Sequence, residues 1–239
     1  MIIGGLEKLT LLDYPDHLAA IIFTLGCNFR CHFCYNPMLV VPRKKGENKN
    51  KKGLSLILDK DLFDFLKERF GRLDGVVITG GEPTLHPDLP EFIRQIKKIG
   101  YDVKLDTNGT NPLMLKKLIE AKIIDYIAMD IKAPFSKYEK VVNIKTNFKN
   151  LEKSVKLIKS SGLPYEFRTT VVPGLLEKAD FYEMGEMIKG ASKWYLQNFK
   201  SDTDLIDANF KKVVAYSNKE MKEFVSIGRN FVDVCELRG

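Results

Sequence analysis

The sequence predicts an α/β fold, an open partial TIM-type (β/α)6 barrel, and three observations lead to this prediction. Short apolar runs of strand character alternate with longer helical runs over most of the chain. Such alternation is typical of a parallel sheet with right-handed crossovers. Six units in 239 residues are too few for a closed barrel, which usually takes about 250 residues. No Ser/Gly-rich linker interrupts the pattern, so we expect a single domain over 1–239.

Six short runs rich in β-branched or aromatic residues are expected to form the strands of this barrel. They lie at 19–24, 75–79, 102–106, 126–130, 165–171 and 193–197. The barrel core then spans 19–200, after an N-terminal extension at 1–18 and before a C-terminal helix and strand within 201–239.

Apolar residues at helical spacing predict helices between these strands, over 60–70, 89–99 and 150–160. The first of these helices would present four apolar residues on one face, namely Leu62, Phe63, Leu66 and Phe70. Ser217 followed by Glu220 has the spacing of a capping box, which predicts the start of a last helix over 218–228.

Charge and hydropathy exclude some classes of protein. The chain has 38 basic and 31 acidic residues, but its lysines are scattered through helical segments, so a nucleic-acid partner is not expected. Only 43–52, with six basic residues, forms a charged run, which we expect to be a flexible loop that could steer an acidic partner. No apolar run approaches the roughly 18 to 20 residues of a membrane span, and no secretory leader is evident. We therefore expect a cytoplasmic protein without a membrane partner.

Three of the four cysteines fall within eight residues, Cys27, Cys31 and Cys34. This Cys-x3-Cys-x2-Cys loop can supply three thiolates to a cubane iron–sulfur cluster and leave the fourth iron open to a small molecule. The alternatives are a zinc site completed by His17 or His32, a four-ligand cluster with Cys235, or coincidence. Cys235 itself lies in an apolar run and is expected to be a small buried residue.

Polar and glycine-rich motifs follow successive predicted strands, at the carboxyl ends where barrels carry their functional groups. These motifs begin at Gly80, Asp106, Asp130 and Pro173. Each has a plainer alternative. Gly80 and Gly81 could form a simple tight turn, Asp106 could begin a loop, and Asp130 with Lys132 could be a surface ion pair.

The cysteine loop, with an aromatic residue directly before its third cysteine, resembles the signature of the radical S-adenosylmethionine superfamily. The run Gly80-Gly81-Glu82-Pro83 is similar to the second motif of that superfamily. Further runs are similar to activating proteins of anaerobic ribonucleoside-triphosphate reductase, at 4–15, 23–31, 36–37, 105–109, 130–132, 171–174, 195–199 and 236–239. The chain departs from those proteins at Tyr35, where they commonly have His, and at Asp16, where they usually have Gly.

This resemblance implies a radical S-adenosylmethionine fold with a [4Fe–4S] cluster. In the family, one electron from the cluster cleaves S-adenosylmethionine to methionine and a 5'-deoxyadenosyl radical, which removes hydrogen from a substrate. In activating proteins that substrate is a glycine of a partner enzyme. The resemblance thus implies a glycyl radical enzyme as partner, first of all anaerobic ribonucleotide reductase. It also implies a flavodoxin or ferredoxin-type electron donor and a monovalent cation as a further cofactor.

The resemblance also implies site residues. Cys27, Cys31 and Cys34 would bind three irons, and the amino and carboxylate groups of S-adenosylmethionine would bind the fourth. The other implied contacts are Phe33 and Tyr35 beside the adenine, Gly80 and Gly81 for close backbone approach, Glu82 for the methionyl ammonium, Asp106 and Asp130 for a cation or ribose pocket, Asn108 in the loop after Asp106, Lys132 for the methionyl carboxylate, and Arg168 and Gln197 for cofactor or partner peptide.

Two rival functions stay open on the sequence alone. One is a radical S-adenosylmethionine enzyme that acts on another glycyl radical enzyme or on a small metabolite. The other is a non-catalytic iron–sulfur or zinc-binding protein, which would not bind S-adenosylmethionine or depend on Glu82.

Overall fold

The computed structural model describes residues 1–40 and 56–238, so the basic run 43–52 lies outside the described residues. Within the described part, eight strands form one sheet in the order β1 to β8. Their bounds are β1 Ile3–Thr10, β2 Ala19–Thr24, β3 Gly75–Gly80, β4 Asp102–Thr107, β5 Tyr126–Asp130, β6 Tyr165–Val171, β7 Lys193–Asn198 and β8 Val234–Leu237. Strands β2 to β4 pair in parallel, as do β6 to β8. The prediction of an α/β fold with an open parallel sheet is confirmed.

Helices connect most of these strands. They are α1 Pro37–Val40, α2 Asp59–Arg69, α3 Leu89–Ile99, α4 Pro112–Glu120, α5 Phe135–Val142, α6 Phe148–Lys159, α7 Asp180–Met187 and α8 Asn218–Gly228, with 3-10 turns at Pro83–Leu85 and Ala208–Lys212. In α3 the apolar residues at helical spacing are buried, and α8 begins with the predicted capping box. None of the described helices is long and apolar enough to cross a membrane.

Helices α1, α4, α5 and α7 were not predicted, and several other elements end one or two residues away from the predicted bounds. Two further differences concern the N-terminal extension and Phe70. The N-terminal extension contains β1, which pairs antiparallel with β2 and lies at the edge of the sheet. Its glycines and charged residues, such as Gly5 and Lys8, obscure the apolar alternation, and the register of its pairing with β2 is interrupted at two places. Phe70 does not join the buried face of α2. It lies just beyond the end of this helix, is 58% exposed and packs on the ring of Tyr101.

The chain divides into two compact units, each with its own apolar centre. The first unit comprises Met1–Asn28, Met38–Thr107 and Leu113–Ile127, and the second comprises Phe29–Pro37, Asn108–Pro112 and Ala128–Gly239. Residues 11–18, between β1 and β2, form the N-terminal turn of the first unit. Tyr14 of this turn packs with Ile21 of β2 and Val77 of β3. In the second, Phe181 stacks on Phe224 at 4.5 Å between ring centroids.

Asp16, the residue of the N-terminal turn where the activating proteins usually have Gly, has an uncommon backbone conformation. Asp16 has φ +61°, in the left-handed region that glycine adopts without steric cost and that aspartate tolerates better than most residues. We expect Asp16→Ala to lower the free energy of unfolding by about 1 kcal/mol. Asp16→Gly should change it by less than about 0.5 kcal/mol, since relief of strain offsets the added freedom of the unfolded chain. Urea unfolding measures both, and equal losses in the two variants would contradict this explanation.

Candidate cofactor-binding site

Two glycines allow the carboxyl ends of β2 and β3 to approach each other closely. In the first unit, Gly81 donates its backbone N–H to Thr24 at 2.9 Å, and Glu82 donates its own to Gly26 at 2.8 Å. A Cβ on Gly80 would lie 2.4 Å from the Thr24 nitrogen, and one on Gly81 would lie 2.0 Å from the Gly26 oxygen. Any other residue would therefore push these two backbones apart.

The carboxylate of Glu82 is buried, with only 1% of the residue exposed. Its Oε1 accepts hydrogen bonds from the Thr84 backbone N–H at 3.1 Å, the Thr84 hydroxyl at 2.5 Å and the Thr107 hydroxyl at 2.7 Å. These three donors converge on one oxygen and fix the position of the carboxylate. Neither threonine was predicted as a site residue, since nothing in the sequence indicates which carboxylate a hydroxyl will face.

Asp106, near the end of β4, is also buried in the first unit. Its Oδ1 lies 3.5 Å from the Nζ of Lys104, a residue that is fully buried and that sequence analysis missed. Asn108, which follows in the second unit, caps its own loop: its side-chain oxygen accepts from the Thr110 backbone N–H at 3.0 Å and from the Thr110 hydroxyl at 2.7 Å.

The predicted residues Asp130, Lys132 and Arg168 meet in the second unit. Asp130 accepts from Lys132 Nζ at 2.9 Å and from Arg168 Nε at 3.0 Å. Their side chains are only 12–25% exposed, so the alternative of a simple surface pair is wrong. Burial alone would raise the pKa of Asp130, but the charges and hydrogen bonds of Arg168 and Lys132 hold that pKa at about 2. Burial opposes the charge of Lys132 as well, yet Asp130 and further anionic groups raise its pKa above the usual value.

This network predicts a pH dependence of stability. Because the folded-state pKa of Asp130 lies below the ordinary 3.8, the ionised carboxylate stabilises the fold at neutral pH. That contribution is about 2 kcal/mol, falls to about half near pH 3 and is lost as the pH drops through 2. We expect Asp130→Asn to destabilise the protein at pH 7 and the deficit to shrink by about half at pH 3. Urea unfolding at both pH values measures this deficit.

The exposed Asp233 supplies the matched control, because Asp233→Asn should leave stability nearly unchanged at both pH values. A deficit in Asp130→Asn that is the same at pH 7 and pH 3 would count against the proposed electrostatic origin.

The second and third cysteines of the loop lie in the second unit, where Cys31 is buried and Cys34 half-buried. The Cys34 backbone N–H donates to the Cys31 carbonyl at 3.1 Å, which closes a tight turn. Phe33 between them is buried, with its ring centroid 6.0 Å from Lys132 Nζ. Burial raises the pKa of the Cys34 thiol, against the lowering effects of the Asn36 N–H and the Lys132 charge.

The donor set fits an iron–sulfur cluster. None of the three cysteines of the loop, including Cys27 in the first unit, is in a disulfide, and soft thiolates are the usual ligands of such clusters. Among the described residues, no three His, Cys, Asp or Glu side chains converge on one metal ion. A cubane does not require this convergence, because each cysteine binds a different iron.

Two residues of the cysteine loop, His32 and Tyr35, contact the segment that follows β7. Tyr35 stacks on Phe199 at 6.3 Å, and its hydroxyl accepts from the Lys200 backbone N–H at 2.9 Å. The ring of His32 lies 3.3 Å from Asp207. These neighbours were not predicted, because they are far away in sequence. Of the two weaker candidates, Arg168 joins the Asp130 network, whereas Gln197 is half-buried near the end of β7, beside Thr170 of β6.

Comparison with known proteins identifies the family. The model of the Radical SAM superfamily matches residues 21–187. A Methanocaldococcus jannaschii protein whose name places it with the glycyl-radical enzyme activating enzymes is 31% identical, over 99% of this chain and 95% of its own. The pyruvate formate-lyase-activating enzyme of Streptococcus mutans is 26% identical over 79% of this chain and 72% of its own. The structure of QueE from Escherichia coli has the same fold, with a TM-score of 0.58, 15% identity and coverage of 99% of this chain and 93% of that chain. The chain therefore belongs to the radical SAM superfamily, uses a [4Fe–4S] cluster and S-adenosylmethionine, and is a homologue of the glycyl-radical enzyme activating enzymes.

Proposed function

We propose that this protein generates a glycyl radical on a partner enzyme, and that the partner is an anaerobic ribonucleoside-triphosphate reductase. The observation that carries the activase assignment is the likeness to the Methanocaldococcus jannaschii protein over 99% of the chain. That likeness extends past the superfamily match at 21–187 to both ends of the chain. The choice of reductase rests on the motif resemblance in the N-terminal turn and at the strand ends.

The first unit would bind the methionyl ammonium of S-adenosylmethionine through Glu82, whose carboxylate Thr84 and Thr107 hold in place. Gly80 and Gly81 would allow the ligand to approach the backbone. Asp106 would contribute to a ribose or cation pocket. When bound, the cluster supplies the electron that cleaves S-adenosylmethionine and so starts hydrogen abstraction from the glycine.

The second unit would bind the methionyl carboxylate through Lys132. A buried ammonium on Lys132 would be costly without a partner, and Asp130 offsets this cost. Arg168 adds a second positive charge, so the group of three residues stays positive overall. Phe33 and Tyr35 would lie along the adenine. We place both units in one functional domain and the protein in the cytoplasm, with a flavodoxin or ferredoxin-type protein as electron donor.

A second candidate partner is another glycyl radical enzyme. The 26% identity to a pyruvate formate-lyase-activating enzyme over 79% of the chain favours this candidate over a small-metabolite substrate. An open sheet also leaves room for a loop of a large protein partner.

The deciding experiment mixes anaerobically reconstituted protein, dithionite and S-adenosylmethionine with each candidate partner and records the electron paramagnetic resonance spectrum. A glycyl doublet with the reductase supports the first proposal, and the signal should vanish when the radical-site glycine of the reductase is replaced by alanine. A doublet with another partner alone supports the second candidate. Cleavage of S-adenosylmethionine without any protein radical would contradict both.

A further inference from the structure

A lysine is buried in the centre of the first unit, where a charge is costly unless it is paired. Lys104 lies in the middle of β4, opposite Val77 of β3, and none of its side chain is exposed. Its ammonium donates to the backbone carbonyl of Asp13, lies 3.5 Å from Asp106 Oδ1 and lies 5.5 Å from the ring centroid of Tyr126. The positive charge is thus held by three groups from three different parts of the unit.

These contacts join two separate features. Asp13 belongs to the N-terminal turn, which is ordered by hydrogen bonds between Thr10 and Asp13. Asp106 is two residues beyond Lys104 on β4, so the two side chains leave the strand on the same face. The lysine therefore connects the N-terminal turn to the carboxyl end of β4.

We propose that Lys104 is a positioning residue for S-adenosylmethionine binding. It fixes the side chain of Asp106 through the ion pair between them, without touching the ligand itself. This inference rests on the proposed role of Asp106 in the cofactor pocket. Groups that orient metal ligands in this way commonly change affinity by about ten- to hundredfold when they are replaced, and we expect an effect of the same order here.

The primary test replaces Lys104 with methionine, which keeps the length of the side chain and removes its charge. In the reconstituted holoprotein, Lys104→Met should weaken S-adenosylmethionine binding about tenfold or more, as measured by equilibrium dialysis. The same change should lower the melting temperature by about 10 °C, because a buried carboxylate loses its partner. Adding Asp106→Asn should restore at least half of the lost melting temperature but not the affinity.

A control separates positioning from general stability. Thr10→Val disturbs the N-terminal turn but leaves the Lys104–Asp106 pair in place, so it should lower the melting temperature with less than about a twofold change in affinity. Chemical rescue gives a second readout: Lys104→Ala should regain affinity with ethylammonium but not with choline, which is too large for the vacated space.

Wild-type affinity in Lys104→Met would overturn the inference about Lys104. A Thr10→Val variant that loses as much affinity as Lys104→Met would overturn it too. Both outcomes would leave the proposed function standing. Conversely, a wild-type protein that binds S-adenosylmethionine tightly but forms no glycyl radical would contradict the proposed function and leave the role of Lys104 intact.

Discussion

Replacing Cys31 with alanine is expected to remove the iron–sulfur cluster and to reduce cleavage of S-adenosylmethionine to background. Cys31 is one of three cysteines, none of them in a disulfide, in a Cys-x3-Cys-x2-Cys loop, and two remaining thiolates would leave a second iron without a protein ligand. Iron analysis and 5'-deoxyadenosine formation after anaerobic reconstitution measure the two effects. Cys27→Ala and Cys34→Ala should behave in the same way.

Cys235 provides the matched control. It is 1% exposed, and burial raises the pKa of its thiol to about 12, as expected for an inert apolar side chain. Cys235→Ala should retain the iron and the activity, at a cost of about 1 kcal/mol in stability. Loss of the cluster in Cys235→Ala would favour the four-ligand alternative, and a Cys31→Ala variant that still cleaves S-adenosylmethionine would contradict the ligand assignment.

Replacing Gly81 with alanine is expected to have the second large effect. The new Cβ would lie 2.0 Å from the Gly26 oxygen, whereas real Cβ contacts hardly ever fall below 3.0 Å. The backbones at Gly26 and Gly81 must therefore separate by about 1 Å. This movement disturbs Glu82, which follows Gly81, and Cys27, which follows Gly26. A misplacement of about 1 Å can lower a reaction rate about a hundredfold, and we expect binding to be affected as strongly because these backbones form the site. We expect S-adenosylmethionine affinity to fall by at least that factor in equilibrium dialysis.

Gly5→Ala in β1 is the control for this substitution. Its Cβ would make an ordinary contact, 3.5 Å from the ring of Phe23, so affinity and melting temperature should stay close to the wild-type values. An affinity in Gly81→Ala within about threefold of wild type would show that the close approach of the strand ends is not needed for binding.

Much of the fold follows from local patterns in the sequence. Strands β2, β5 and β6 have the predicted bounds, and so do helices α3 and α8. These elements have strong apolar periodicity or a recognisable cap, so local and tertiary preferences agree. The edge strand β1 escaped prediction because only one of its neighbours is a strand, and its composition is correspondingly mixed.

The site was less predictable than the fold. Motifs indicated Glu82 and Asp130, because their spacing is local and their chemistry is distinctive. Some of the partners that hold these groups are distant in sequence, so their pairing could not be predicted: Thr107 faces Glu82 from 25 positions away, and Arg168 faces Asp130 from 38. Lys104 was missed for a different reason, since a lysine in a strand is usually expected at the surface.

The central claim is that three thiolates hold a cluster with one iron open to S-adenosylmethionine. The electron paramagnetic resonance spectrum of the dithionite-reduced protein, recorded before and after addition of S-adenosylmethionine, tests it most directly. A ligand that binds the open iron should change the g-values of the reduced cluster. A spectrum that stays the same at saturating ligand would contradict the claim.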